Sequence, residues 1–299
     1  MRVVSLLPSA TEIVFAVGRG DDLVGVTFEC DFPAEARDRR IVSTSALPEG
    51  LAPAEIDAVV SELLAAGADL YRLDEGALAE LDAEVVLTQD LCAVCAVDID
   101  RVKDALAHLG CSARVVTLDP SSLDEVLDSI RTVGAVLGSE ARADQVVRSL
   151  RQRLAELEAA VAGAGRPPVL VLEWTDPPFS AGHWVPDVVA AGGGRPVLAH
   201  PGDASRRISW NGVAEAAADV VVVAPCGYHL EPARQQACEA VTAGRLPEAA
   251  EVWAVDADAY FVRPGPRLVD GAALVGQILH PDRCGEPDPA QAQRVWPPD

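Results

Sequence analysis

One apolar stripe in the middle of the chain constrains the fold more than any other feature. Val146, Leu150, Leu154, Leu157 and Val161 recur at spacings of four, four, three and four residues, the period of a single helix face. A helix over residues 139–162, about 24 residues, would be about 36 Å long at the usual rise per residue. Glycine and proline in residues 163–168 predict its end.

Short runs of β-branched residues alternate with helical stretches on both sides of this long helix. The predicted strands cover residues 2–7, 22–27, 84–88, 114–118, 169–174, 219–224 and 251–255, and further helices are predicted at 53–66 and 266–279. Alternation of this kind is typical of parallel sheets. We therefore predict an α/β fold of two lobes with mainly parallel sheets, joined by one long α-helix, with a ligand cleft between the lobes.

This interpretation divides the chain into four parts. They are an N-terminal α/β lobe (1–120), a helical segment with the long linking helix (121–165), a C-terminal α/β lobe (166–280) and a flexible tail (281–299).

Charge and composition exclude several classes of partner. The chain has 299 residues, of which 49% are apolar, and a formal net charge of −22, so it is a folded protein that repels nucleic acids and anionic membrane surfaces. No apolar run is long enough to insert directly into a membrane. The amino terminus lacks the pattern of a secretory leader, which predicts a cytoplasmic location, or an extracytoplasmic one if a leader has been removed.

Four of the seven cysteines directly follow predicted strands. They are Cys30, Cys92, Cys95 and Cys226. A Cys-x-x-Cys pair with two remote thiols suits zinc or an iron–sulfur cluster, because thiolates are soft ligands and such sites take four of them. Dithiol redox chemistry and simple packing of small residues are the alternatives. No role is predicted for the other three cysteines.

Aromatic side chains are scarce, at 4% of the chain, and several follow strands, where they suit a large flat apolar ligand. Tyr228 is one of these candidates, and packing in the core is the alternative for each. His183 and His229 lie in loops, where a histidine can bind a metal or a ligand or simply face solvent. The chain contains one lysine and no motif that pairs a nucleophile with a base, so we predict no enzymatic activity.

Five segments spread over both predicted lobes resemble a known family. They are residues 2–12, 23–27 with 31–33, 41–44, 177–182 and 260–267. Together they resemble the cobalamin-binding proteins of ABC importers, whose two lobes are joined by a single rigid helix, and the resemblance covers residues 1–280. It implies a corrinoid ligand between the lobes. The site residues that it implies are Phe179 and Tyr260 against the ring edge, Phe28, Trp184 and Trp210 as neighbours, and Ser9, Thr11 and Ser45 on the first-lobe side.

The chain also departs from that family. Family members dock on their permease through an exposed acid in each lobe, but Val262 follows the second-lobe aromatic pair, which argues against a permease partner. The absent leader, a helix-sized insertion near 48–70 and the cysteines favour an intracellular subgroup that holds or carries a corrinoid.

The predicted function is therefore non-catalytic binding of cobalamin or a related corrinoid, as a transport component or an intracellular carrier. The alternatives are a siderophore or haem binder, a thiolate-ligated metal or iron–sulfur protein on the same scaffold, and an enzyme that acts on a corrinoid or thiol substrate.

Overall fold

The structure, a computed structural model, describes residues 1–89, 113–248 and 250–297. The helices are α1 (Pro8–Ala16), α2 (Pro53–Ala65), α3 (Glu75–Leu81), α4 (Leu123–Val136), α5 (Glu140–Val161), α6 (Val185–Ala191), α7 (Trp210–Ala214), α8 (Leu230–Thr242), α9 (Ala257–Tyr260), α10 (Leu268–Leu279) and α11 (Pro281–Cys284). The strands are β1 (Val3–Ser5), β2 (Leu23–Thr27), β3 (Arg40–Ser45), β4 (Tyr71–Leu73), β5 (Val85–Thr88), β6 (Arg114–Thr117), β7 (Pro168–Thr175), β8 (Pro178–Ser180), β9 (Arg195–Pro196), β10 (Arg206–Arg207), β11 (Val220–Val223), β12 (Glu251–Val255) and β13 (Ala292–Trp296).

The chain divides into two compact units. Unit 1 contains residues 1–120 and 127–147, and unit 2 contains residues 121–126 and 148–299. This division differs from the predicted boundaries, because α4 and α5 each contribute residues to both units. The predicted mixed α/β class with two units is confirmed.

The sheet of unit 1 has the strand order β4-β3-β2-β1-β5-β6. Its described strands run parallel except β4, which is antiparallel to β3. The central strands β1 and β5 are buried along their whole length, as expected for parallel strands covered on both faces. Val4, Val42 and Val86 pack with Leu78 of α3 in a core cluster on one face of this sheet.

The sheet of unit 2 has the order β10-β8-β7-β11-β12-β13, and β9 pairs with the start of β7. β7, β11 and β12 are parallel, whereas β8, β10 and β13 run antiparallel to their neighbours. Every residue of the all-valine strand β11 is buried. The valine run therefore forms the middle of the sheet, with α7 and α8 packed on one face.

The long helix predicted over 139–162 is confirmed as α5, Glu140–Val161. Gly138 and Gly163 flank it with positive φ angles of 64° and 72°, conformations that favour glycine and end a helix. In the described part of the chain, no helix has both the length and the apolar character needed to cross a membrane.

The prediction of a flexible tail over 281–299 is wrong at residues 281–284 and 292–296, which form regular elements. Residues 281–284 form α11, and β13 adds an antiparallel strand to β12, with Ala292 opposite Val255 and Trp296 opposite Val252. Ala292 is buried, and Val295 packs against the core cluster of unit 2. The prolines suggested disorder, but they lie outside the paired residues, which leaves the backbone donors of β13 available to the ladder.

A chain that ends at Glu286 tests this correction. Loss of β13 removes its ladder with β12 and the apolar burial of Ala292 and Val295. We expect the free energy of unfolding to fall by at least ~2 kcal/mol, measured by urea denaturation. A truncated chain as stable as the full one would show that the segment contributes nothing to the fold.

Candidate functional site

Most of the candidate residues that the structure describes lie at the carboxyl ends of the parallel strands of their own unit. Ligands of open α/β sheets bind at this edge, because the loops that follow the strands are free to carry functional side chains. In unit 1 these loops follow β1, β2 and β3, and in unit 2 they follow β7, β11 and β12.

The three polar candidates of unit 1 differ in their surroundings. Thr11 is buried, and its Oγ1 shares a hydrogen bond of 3.0 Å with Sγ of the buried Cys30. Ser9 is also buried, in the first turn of α1. Ser45 is half-buried, and its Oγ accepts a hydrogen bond of 3.0 Å from the backbone N–H of Leu47. Their contact with a ligand stays a prediction.

An exposed aromatic ring, Phe28, marks the carboxyl edge of unit 1. Its side chain is 41% exposed, and its ring lies 6.4 Å from the ring of Tyr71. The Tyr71 hydroxyl donates a hydrogen bond of 3.3 Å to Oε2 of Glu29. Tyr71 reaches this edge because β4 is antiparallel and places it opposite Ser45. Neither Tyr71 nor Glu29 was predicted as a site residue. Tyr71 belongs to β4, which the sequence pattern did not reveal.

A row of aromatic side chains crosses the carboxyl edge of unit 2. Phe179 on β8 pairs with Trp174 on β7, and the ring of Trp174 lies 5.7 Å from that of Tyr228 in the loop after β11. We call these three residues the aromatic row. All three rings are half-buried, and burial raises the pKa of the Tyr228 hydroxyl. Phe179 and Tyr228 were predicted; Trp174 was noted only as one of several aromatic residues that follow a strand.

A guanidinium group stands at one end of the aromatic row. Arg207 on β10 pairs with Phe179, and its guanidinium carbon lies 5.6 Å from the centre of the Phe179 ring. This geometry is a cation–π contact. Because β10 contains only two residues, no sequence periodicity could have revealed the pairing.

Hydrogen bonds to the Glu173 carboxylate, which we call the Glu173 clamp, hold together the segments that carry the aromatic row. The carboxylate of Glu173 accepts a short hydrogen bond from Ser205 Oγ and one of 3.3 Å from the backbone N–H of Gly182. The Ser205 segment packs so closely that a Cβ on Gly182 would lie 2.2 Å from the Ser205 backbone nitrogen. Glu173 lies where the register between β7 and β8 shifts, a bulge of the kind that re-aims neighbouring side chains.

The loop after β12 presents Tyr260, whose hydroxyl accepts a hydrogen bond of 2.9 Å from Gln291. Its backbone carbonyl lies against Gly271 of α10, where a Cβ would come within 2.1 Å. The next residue is held by Trp184, whose indole N–H donates a 2.7 Å hydrogen bond to the Phe261 carbonyl. Trp184 is 6% exposed, so its described contacts position the Tyr260 loop.

Trp210, the remaining aromatic candidate, begins α7 and packs against the core cluster of unit 2. The guanidinium carbon of Arg245 lies 5.1 Å from its ring centre. These contacts give Trp210 a packing role, and its contact with a ligand stays a prediction.

The four-thiolate hypothesis has no support in the part of the chain that the structure describes. Cys92 and Cys95 lie outside the described residues. Cys30 is buried beside Thr11, and Cys226 is exposed in the loop after β11. Within residues 1–89, 113–248 and 250–297, no cysteine belongs to a cluster of three or more potential metal ligands.

His229 adds an imidazole to the carboxyl edge of unit 2. Its side chain is 57% exposed, and Nδ1 lies 3.1 Å from a carboxylate oxygen of Asp256. The same oxygen accepts a hydrogen bond from the backbone N–H of Ala259, which fixes the carboxylate at the start of α9. Beside it, Asp258 forms a largely buried ion pair with Arg263.

A groove of about 740 Å³ lies elsewhere in unit 2, between α5 and α6. Charged residues that line the groove bind one another or the backbone. Arg151 forms an ion pair of 3.0 Å with Asp124, and Asp187 accepts a 3.0 Å hydrogen bond from the backbone N–H of Leu123. No residue of the aromatic row lines it.

Comparison with known proteins establishes the family. Residues 3–256 match the model of the periplasmic binding protein family, so the chain belongs to that family. The chain is 25% identical over 285 residues to the vitamin B12-binding protein of Vibrio cholerae, which covers 93% of this chain and 88% of that protein. It is 30% identical over 158 residues to YvrC of Bacillus subtilis, an uncharacterized ABC transporter substrate-binding lipoprotein, covering 52% of this chain and 40% of that relative.

Solved structures show the same fold. The vitamin B12-binding protein BtuF of Vibrio cholerae superposes with a TM-score of 0.64 at 21% identity, over 93% of this chain and 96% of that one. A periplasmic haem-binding protein of Pseudomonas aeruginosa gives a TM-score of 0.70 at 21% identity, over 94% and 93%. The resemblance inferred from the sequence is therefore confirmed at the level of family and fold.

The half-buried His183, in the loop after β8, makes the free energy of unfolding depend on pH. Burial lowers the pKa of its imidazole below the usual 6.5, and its φ of 52° lies in the left-handed region. As pH falls through and below that usual value, the unfolded chain takes up the proton first, so the free energy of unfolding decreases.

We expect His183→Asn, which tolerates the positive φ, to remove this part of the acid destabilisation. Urea unfolding of both proteins at about pH 7.5 and about pH 5.5 measures it, and His200→Asn, an exposed histidine in unit 2, is the control. Equal pH dependence in His183→Asn and the unaltered protein would contradict the prediction.

Proposed function

We propose that this protein is a non-catalytic binding protein for a corrinoid of the cobalamin type. The observation that carries the proposal is the aromatic row at the carboxyl edge of unit 2, where half-buried rings on β8, on β7 and after β11 adjoin one another. Flat aromatic faces suit the edge of a large macrocycle. The exposed Phe28 beside Tyr71 gives unit 1 an aromatic surface at its own carboxyl edge.

Two further facts support a corrinoid. The relative that aligns over 93% of the chain is a vitamin B12-binding protein. The acidic chain, with its net charge of −22, also suits a macrocycle whose side chains are mostly neutral amides better than one that carries free carboxylates.

Haem is the second candidate, and one observation favours it. The exposed imidazole of His229 has a carboxylate on Nδ1, an arrangement that metal-ligating histidines commonly show, because the carboxylate orients the ring. Structural likeness to haem-binding proteins is consistent with this candidate.

We do not propose that the protein docks on a permease through an acidic residue beside the Tyr260 loop. Val262, which offers no carboxylate, is half-buried at that position. The proposed partner is the small-molecule ligand.

Calorimetric titration with cyanocobalamin tests the proposal. We expect saturable binding of one ligand per chain, and Phe179→Ala or Tyr260→Ala should weaken it about tenfold or more, because each removes an aromatic face at the proposed site.

Trp296→Ala is the matched control. Trp296 is 43% exposed on the same sheet, but it pairs with Val252 near the amino end of β12, so its loss should leave the affinity unchanged. If both site variants unfold at the same temperature as the unaltered protein and keep its affinity, the assignment of Phe179 and Tyr260 to the binding site is wrong. Absence of any binding would contradict the function.

A further inference from the structure

The segment that leads into β13 holds the ring of Tyr260, a residue of the proposed binding site. Gln291 lies directly before β13, and its side-chain amide donates a hydrogen bond of 2.9 Å to the Tyr260 hydroxyl. Its backbone carbonyl accepts another of 2.9 Å from the N–H of Asp256, which caps α9. Gln291 is therefore bonded both to the start of this short helix and to the ring of the residue that ends it.

Gln291 itself belongs to a tight turn. Its backbone N–H donates a hydrogen bond of 2.8 Å to the carbonyl of Asp288, and the N–H of Ala292 donates one of 3.0 Å to the same carbonyl. The Asp288 carboxylate accepts a further hydrogen bond of 2.9 Å from the N–H of Ala290. From Ala292 onward the chain is paired with β12. Because the backbone is held on both sides of Gln291, its amide fixes where the Tyr260 hydroxyl lies.

The direction of this hydrogen bond leaves the proton of the Tyr260 hydroxyl unused. A phenol hydroxyl has one hydrogen to donate and lone pairs that accept, and here it accepts from the Gln291 amide. In the part of the chain that the structure describes, this hydroxyl makes no second hydrogen bond. Tyr260 is half-buried, and it follows β12 at the carboxyl edge of unit 2. The hydroxyl can therefore donate its proton to an acceptor that a ligand supplies.

We propose that Gln291 is a positioning residue that makes the Tyr260 hydroxyl a hydrogen-bond donor to an amide carbonyl of the corrinoid. This inference rests on the proposed function. The macrocycle of cobalamin carries neutral amides around its periphery, and each amide offers a carbonyl oxygen as an acceptor. Tyr260 thus contributes a donor as well as an aromatic face, at a position that the segment before β13 fixes.

Gln291→Glu tests the direction of the hydrogen bond. A carboxylate has nearly the shape of the amide but only accepts, so the Tyr260 hydroxyl would donate to it and no longer to the ligand. We expect the affinity for cyanocobalamin, measured by calorimetry at neutral pH, to fall about fivefold, the usual effect of one hydrogen bond. Tyr260→Phe, which keeps the ring, should lose the same factor. The double variant should lose no more than either single variant, because both changes remove the same donor.

Gln293→Glu is the matched control. Gln293 lies on β13 opposite Ala254, and its amide donates a hydrogen bond of 3.1 Å to the carbonyl of Pro289. This variant adds the same negative charge to the same segment, and we expect it to keep the affinity of the unaltered protein. A loss equal to that of Gln291→Glu would show an effect of charge alone and would contradict the role of Gln291.

The remaining outcomes separate this inference from the proposed function. Unchanged affinity in Gln291→Glu, or losses that add up in the double variant, would overturn the role of Gln291 while corrinoid binding stands. If Gln291→Glu lowers the temperature of unfolding, Tyr260→Phe decides alone, and unchanged affinity in that variant would overturn the donor role of the hydroxyl. If the unaltered protein binds no cyanocobalamin, the proposed function itself is wrong.

Discussion

The burial of parallel strands on both faces is the constraint on which the rest of unit 2 depends. β11 consists of four buried valines between β7 and β12, and helices must cover it because no polar side chain faces water from it. The connections that follow parallel strands therefore meet at one edge of the sheet. Trp174, Tyr228 and Tyr260 belong to that edge because each lies at the end of one of these strands or in the loop that follows it.

The finer geometry at this edge depends on polar contacts and on the absence of side chains. The Glu173 clamp ties Gly182 and Ser205 to β7, and its bulge aligns Trp174 with Phe179. Gly182 and Gly271 lie where any Cβ would meet backbone atoms within about 2.2 Å. Two glycines and one carboxylate therefore fix the positions of the large aromatic side chains. The surface that would contact a ligand is already formed before the ligand binds.

Sequence reasoning succeeded where the pattern is long. The stripe from Val146 to Val161 predicted α5 to within a residue at each end, and the valine-rich runs predicted the central strands of both sheets. It failed for short strands at or near the sheet edges that have no run of β-branched residues and are stabilised by pairing, namely β4, β8, β10 and β13. β10 contains two residues and β4 three, so Arg207 and Tyr71 could not be placed beside Phe179 and Phe28 without the register of the sheets. The proline-rich end concealed β13 for the same reason.

A binding protein of this family is thus described by two aromatic surfaces, one in each unit, and by a cation at the end of one of them. We propose that these surfaces favour a corrinoid over haem. Competition tests it most directly: the protein is mixed with equal amounts of cyanocobalamin and hemin, desalted, and examined by absorbance. The account predicts a retained corrinoid spectrum at one ligand per chain, whereas a retained haem spectrum, or neither chromophore, would contradict it.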